Sequence, residues 1–168
     1  KRQGGIAVEP FYNRVMDFAL EFHVGKHGVA YNGISVFATS STGAYTGNYV
    51  SDEPCLKRRI PEALQGHLSD VCKNLQRHLQ NVYSQGYSGP LGVDMMVVEY
   101  QGEKYIHPCV EVNLRQTMGN VCVSLRSQLR RGAAIYRLRP VGETTESTLV
   151  LTPYAKRIEA VLQTEEAE

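Results

Sequence analysis

Little in the sequence would commit the chain to a membrane, a nucleic acid or a crosslinked scaffold. Its formal net charge is +1, so no bulk field draws it towards a polyanion. No apolar run approaches the roughly 20 residues that span a bilayer. The first residues show no signal-peptide pattern, and no internal repeat or low-complexity segment stands out. The four cysteines, Cys55, Cys72, Cys109 and Cys122, show no CxxC pairing and no ligand spacing, which argues against a disulfide or zinc framework. Cys72 and Cys122 fall at apolar helix positions and read as small core residues in a reducing compartment. These absences predict a cytoplasmic chain with neither a nucleic-acid polymer nor a membrane as partner.

What is present is an ordinary globular composition, 42% hydrophobic and 21% charged over 168 residues. That is enough for one domain with a real core. The chain opens at KRQGG, without an initiator methionine, and runs at once into the strand-like IAVEP. It is expected to be one part of a longer chain. Residues 1–168 are read as a single domain, with Thr164–Glu168 as a frayed acidic tail.

Alternation predicts short strands at Ile6–Glu9, Asp17–Val24 and Val29–Thr39, with Gly33 as a bulge, and a further strand or an extended loop at Ala44–Val50. Ser51–Arg59 is polar, and Lys57, Arg58 and Arg59 read as a solvated charge run. Ile60, Leu64, Leu68, Val71, Leu75, Leu79 and Val82 then recur at helical spacing. A hairpin follows over Gly92–Asn113, turning at Gln101-Gly102. Pro108 in its second strand predicts an edge position or a bulge. A second amphipathic helix is expected from about Thr117 to Arg131, capped by Gly132. Strands at Ala133–Arg139 and Thr148–Leu151 and a final helix at Tyr154–Gln163 complete the pattern. Without a regular βαβ alternation, the expected class is α+β: a largely antiparallel sheet flanked by helices, the helices packed on one face.

The chemistry concentrates in the hairpin, GPLGVDMMVVEYQGEKYIHPCVEVNLR. Asp94 lies on its first strand. Glu111, Asn113 and Arg115 follow each other at two-residue spacing, which puts them on one face of a strand. Two carboxylates and an amide oxygen are hard ligands that suit Mg²⁺, which fills its remaining positions with water and phosphate oxygens. No His or Cys joins the cluster, so zinc or copper fits poorly. Arg115 supplies a planar cation for phosphate or carboxylate. The same residues also suit a buried ion pair of Asp94 or Glu111 with Arg115. On pattern alone the two readings stand level.

Asp94 followed by Glu111-Val112-Asn113-Leu114-Arg115 resembles the second half of an ATP-grasp domain, in which an acidic strand and a hairpin lead to Glu-x-Asn-x-Arg. The resemblance implies that Asp94, Glu111 and Asn113 bind the Mg²⁺ that bridges ATP phosphates. It implies that Arg115 is the catalytic residue that contacts the phosphate or an acyl-phosphate intermediate. Ala7-Val8-Glu9-Pro10-Phe11 is similar to the family's adenine hinge. That gives Glu9 and Phe11 a nucleotide-binding role and places Asp17 at the ribose. The resemblance covers roughly Ile6 to Leu129. It implies a ligase that activates a small-molecule carboxylate with ATP for attack by an amine or other nucleophile. The family's phosphate-binding lysine and glycine-rich loop belong to an earlier subdomain that these residues do not contain. The chain alone is therefore expected to be inactive. The alternative is a binding or structural module of ATP-grasp-like fold without chemistry. In either case a homodimer would cover an exposed sheet edge.

Other polar residues are read more plainly. Glu21 shares the face of Asp17 and could line the cleft, though it reads first as a solvent-facing acid. His107 reads as an ordinary strand histidine. Arg126, Arg130 and Arg131 read as the polar face of the second helix. Gly43–Asn48 is a glycine-rich stretch beside the meander that could contact a phosphate or an acceptor.

Overall fold

Long stretches of alternating side chains set the architecture. The structure, a computed structural model, describes residues 4–6, 8–83, 86–128, 133–140, 148–149 and 158–164. Its strands are β1 (Asn13–Gly25), β2 (Gly28–Thr39), β3 (Tyr45–Val50), β4 (Gly89–Tyr100), β5 (Glu103–Asn113), β6 (Ala134–Pro140), β7 (Thr148–Leu149) and β8 (Ile158–Thr164). Its helices are α1 (Glu53–Arg58), α2 (Glu62–Tyr83) and α3 (Met118–Leu125), the last running into a single 3₁₀ turn, Arg126–Gln128. The strands form one eight-stranded sheet in the order β5-β4-β1-β2-β3-β6-β8-β7. Every pairing along it is antiparallel. The class is α+β, as the sequence predicts.

The two faces of the sheet carry different chemistry. On one, Phe18, Leu20, Phe22 and Val24 of β1 meet Ile34 and Val36 of β2 and Leu91, Val93, Met95 and Val97 of β4. Leu64, Leu68 and Leu79 of α2 and Leu56 of α1 cover them. Fully burying each such side chain contributes about 1.5–3 kcal/mol, which makes this face the main source of stability. The predicted apolar stripe of α2 holds except at its end, where Val82 is 67% exposed. The opposite face carries Glu21, Ser35 and Asn48, all buried. There α3 packs Cys122 against Val50, Ala134 and Tyr136. The helices thus lie on both faces, against the expectation of one. The reason is that α3 has its own apolar partners in β3 and β6. Cys122 is buried and Cys72 packs at the margin of the main core, so both serve as small core residues.

Two predicted irregularities are in place. The β1–β2 register slips beside Glu21, which faces Gly33 while Phe22 faces Tyr31. Gly33 takes φ +147, a conformation that L side chains rarely adopt. At the hairpin, β5 is the edge strand. Its register slips between the pairs Asp94–Glu111 and Met96–His107, on either side of Pro108.

Two expected elements, the first strand and the last helix, fail. Among the described residues up to Tyr12 there is no strand, and β1 begins at Asn13. Ile6, Val8 and Phe11 are exposed, with no strand alongside to form a ladder. In Ser51–Arg59 the basic run Lys57, Arg58 and Arg59 is exposed as expected, and the segment also holds the short helix α1. Asp52 caps α1 by accepting a hydrogen bond from the Cys55 amide at 2.7 Å, and Lys57 pairs with Glu53 at 2.7 Å. The predicted last helix is strand β8 over Ile158–Thr164, because it pairs along the whole of β6. Ala7, Arg130, Arg131, Gly132, residues 154–157 and the tail beyond Thr164 lie outside the described residues.

Candidate functional site

The antiparallel register brings the predicted acids together. Asp94 of β4 stands opposite Glu111 of β5 on one side and Ala19 of β1 on the other. Asp94 is half-buried, and Glu111 at the sheet edge is exposed. Asn113, near the end of the same strand, is buried. Its Nδ2 donates to Asp94 Oδ2 at 3.0 Å, and its Oδ1 accepts from Arg115 Nη2 at 2.8 Å. The four residues therefore form one connected group, Arg115 to Asn113 to Asp94, with Glu111 facing Asp94. Burial pushes the Asp94 carboxyl up to about 6, and the charge of Glu111 adds to the rise. The Asn113 hydrogen bond and the Arg115 charge oppose it. Arg115 makes its hydrogen bond to Asn113, and among the described residues no direct ion pair joins it to either acid. The group lines an open cleft of about 350 Å³, with Gly43, Tyr45 and Asn48 on the facing wall. Tyr45 Oη donates to Asn48 Oδ1 there at 2.6 Å.

Glu21 is the residue whose depth of burial sequence reasoning does not foresee. Of its two readings, lining the cleft and facing solvent, the first agrees with the structure: Glu21 is 0% exposed beneath the same cleft. Ser35 Oγ donates to one of its oxygens at 2.8 Å. Thr117 Oγ1, at 2.8 Å, and Asn120 Nδ2, at 2.7 Å, donate to the other. Burial pushes the Glu21 carboxyl up to about 7, against the pull of these hydrogen bonds. Alternation predicts only that Glu21 lies opposite the Phe22 face. Its donors stand 14, 96 and 99 residues away, so no local signal could reveal them.

Asp17 lies farther along β1. It accepts from Thr39 Oγ1 at 2.7 Å and pairs with Arg14 at 3.2 Å. It lines a neighbouring hollow of about 420 Å³, which shares Phe37 and Thr39 with the cleft. Arg59 closes that hollow, its guanidinium 3.7 Å from the centre of the Tyr49 ring. Glu9 and Phe11 are exposed and line neither cavity. His107 stacks edge-on against Tyr12, their ring centres 5.4 Å apart. Arg126 is not a free polar-face residue. It donates to the Ile34 carbonyl beside the Gly33 bulge and lies 3.6 Å from Glu53.

As a donor set, two facing carboxylates and a side-chain amide suit a hard divalent cation. Among the described residues there is no group of three or more His, Cys, Asp or Glu side chains placed to hold a metal. Any cation here would therefore rest on Asp94 and Glu111, and the Asn113 oxygen, which accepts from Arg115, would have to turn towards them to join. Among the described residues no helix is long and apolar enough to cross a membrane.

No family model matches the sequence, and no curated protein matches it. Among solved structures, the chain is similar to one from Archaeoglobus fulgidus that is provisionally described as an ATP-grasp superfamily protein. The TM-score is 0.54 at 16% sequence identity, over 92% of this chain and 47% of that one. The likeness is one of fold, and this chain spans about half the length of that protein.

Proposed function

We propose that this chain forms one wall of a magnesium–nucleotide cleft in an ATP-grasp-like ligase. The observation that carries the reading is the pairing of Asp94 with Glu111 in register, with Asn113 bonded to Asp94 and Arg115 bonded to Asn113. Two carboxylates held face to face in a half-buried place repel each other, and a divalent cation between them would relieve that repulsion. Such an ion, when bound, neutralises phosphate charge and orients the group being transferred. Asp94, Glu111 and Asn113 are the residues that would hold it.

The rest of the wall follows from its charges and exposure. Arg115, tethered through Asn113, presents a fixed cation to an anionic group and stabilises charge that develops on it. Asp17, held by Thr39 and Arg14 in the adjoining hollow, is the candidate contact for a ribose. The exposed Glu9 and Phe11 are candidates for the base, on a segment whose remaining contacts would come from the rest of a longer protein. The substrates we assign by class are a small carboxylate, activated by ATP as an acyl phosphate, and an amine or other nucleophile that attacks it. Because positioning from both sides of the cleft is needed for phosphoryl transfer, the chain alone is inactive. ATP turnover by the isolated chain would overturn that statement.

The direct test is Glu111→Gln in the longer protein. Calorimetry should show Mg-ATP binding lost, and unchanged binding would refute the metal assignment.

A further inference from the structure

Glu21 is enclosed by three elements at once. Ser35 reaches it from β2, while Thr117 and Asn120 reach it from the start of α3. Two glycines make the room. An ideal Cβ on Gly119 would stand 1.9 Å from Glu21 Oε1, and one on Gly92 would stand 2.7 Å from Oε2. Gly92 is itself the strand partner of both Glu21 and Asn113.

This places Glu21 beneath both ends of one short connection. That connection leaves β5 at Asn113, opposite Gly92, and enters α3 at Thr117, whose hydroxyl donates to Glu21. Arg115 lies between those two anchors. Its backbone amide bonds to the Asn113 carbonyl at 2.9 Å, and its side chain bonds to the Asn113 amide. If the Thr117 end were released, Arg115 would be held only from the Asn113 side.

We propose that Glu21 is a positioning residue: through Thr117 and Asn120 it fixes the 113–117 connection, and with it the chain from Arg115 through Asn113 to Asp94. It bonds to none of those three residues itself. Groups bonded directly to metal ligands are worth about 10- to 100-fold in metal affinity, and Glu21 acts one step further back, through Thr117, so its effect is expected at or below the lower end of that range. The effect on cation binding rests on the function proposed above. The effect on Asn113 does not.

Two readouts separate the two claims. The first is the NMR signal of the Asn113 side-chain amide, which donates to Asp94 at 3.0 Å and should be shifted by that bond. In Glu21→Ala this signal should move to free-amide positions while core amides such as those of Leu20 and Val93 stay protected. Glu21→Gln keeps an oxygen for Thr117 and Asn120 and should restore the signal. The second is Mn²⁺ affinity of the full chain, which should fall by up to about tenfold in Glu21→Ala and return in Glu21→Gln. Thr117→Val removes only the hydroxyl that faces Glu21. It should move the Asn113 signal as well, so a Glu21→Ala chain that does not fold leaves the test intact. An Asn113 signal unmoved in Glu21→Ala or Thr117→Val overturns the proposal. A wild-type chain that binds no Mn²⁺ overturns the metal reading instead, and the Asn113 signal then decides the positioning role by itself.

Discussion

Asp94 and Glu111 face each other directly across the β4–β5 ladder, two carboxylates in register on adjacent strands. Burial is the larger cause of the raised Asp94 value of about 6, and Glu111 is the second. Glu111→Gln removes the second cause and leaves the first. The Asp94 midpoint should therefore fall, but not to the ordinary 3.8. Carboxyl carbon shifts followed through a pH titration measure it directly. An unmoved midpoint would mean that the two charges do not interact.

The same raised value fixes the pH dependence of cation binding. A carboxylate must lose its proton to act as a ligand. At pH below about 6, a growing share of Asp94 is protonated, and a cation has to displace that proton. Mn²⁺ affinity should be level above about pH 7 and fall about tenfold for each further pH unit below the Asp94 midpoint. A flat profile down to about pH 5 would remove Asp94 from the ligand set.

Glu21 makes its own contribution to stability, with a definite sign. Its folded value is raised from 4.5 to about 7. Between those values the unfolded chain has given up the proton and the folded chain still holds it. The folded state then binds more protons, so stability falls as pH rises. The stabilisation is complete below 4.5 and is lost as pH passes through about 7. At about 1.4 kcal/mol per unit it amounts to roughly 3 kcal/mol. Asp94 raises and Arg126 lowers the Glu21 value, so both belong to the same balance. Glu21→Gln carries no such term. Urea unfolding at several pH values should show wild type losing about 3 kcal/mol relative to Glu21→Gln across this window. Parallel curves for the two proteins would show that Glu21 titrates alike folded and unfolded.

The parts of this fold that a sequence can show are those in which one local pattern decides the outcome. The hairpin is legible because alternation, the Gln101-Gly102 turn and the edge-favouring Pro108 all agree. The α2 stripe is legible because its spacing suits one structure only. Ile158–Thr164 is not legible, since its apolar spacing suits a helix or a strand equally, and pairing with β6 settles it. Residues Val8–Tyr12 carry strand-like residues but no partner strand, and strand propensity without a ladder is weak. Of the candidate site, the grouping of Asp94, Glu111, Asn113 and Arg115 is legible because two-residue spacing and hairpin register are local, while its reading as a cation site comes from the family resemblance. The burial of Glu21 is not legible, because it depends on α3 crossing the polar face, and nothing near residue 21 encodes that.

Gly119 offers the sharpest check on how tightly that crossing is packed. Glycine inside a helix is normally a weakness, and Gly→Ala gains about 1 kcal/mol by removing freedom from the unfolded chain. Gly66 in α2 is such a place, with nothing within 4 Å of an added Cβ. Gly66→Ala should stabilise by about that amount. At Gly119 the added Cβ would stand 1.9 Å from Glu21 Oε1 and 2.4 Å from Ser35 Oγ. Neither atom is the loose end of a mobile side chain, since each is bonded to the other and Glu21 is also held by Thr117 and Asn120. Gly119→Ala must push α3 away from the sheet or break the Glu21 network, and either should cost about 2–3 kcal/mol. The same substitution in two helices of one chain is thus expected to have opposite signs, which paired thermal melts would read directly. A Gly119→Ala chain as stable as Gly66→Ala would show that α3 sits loosely on Glu21, and the 113–117 connection would then lose its anchor as well.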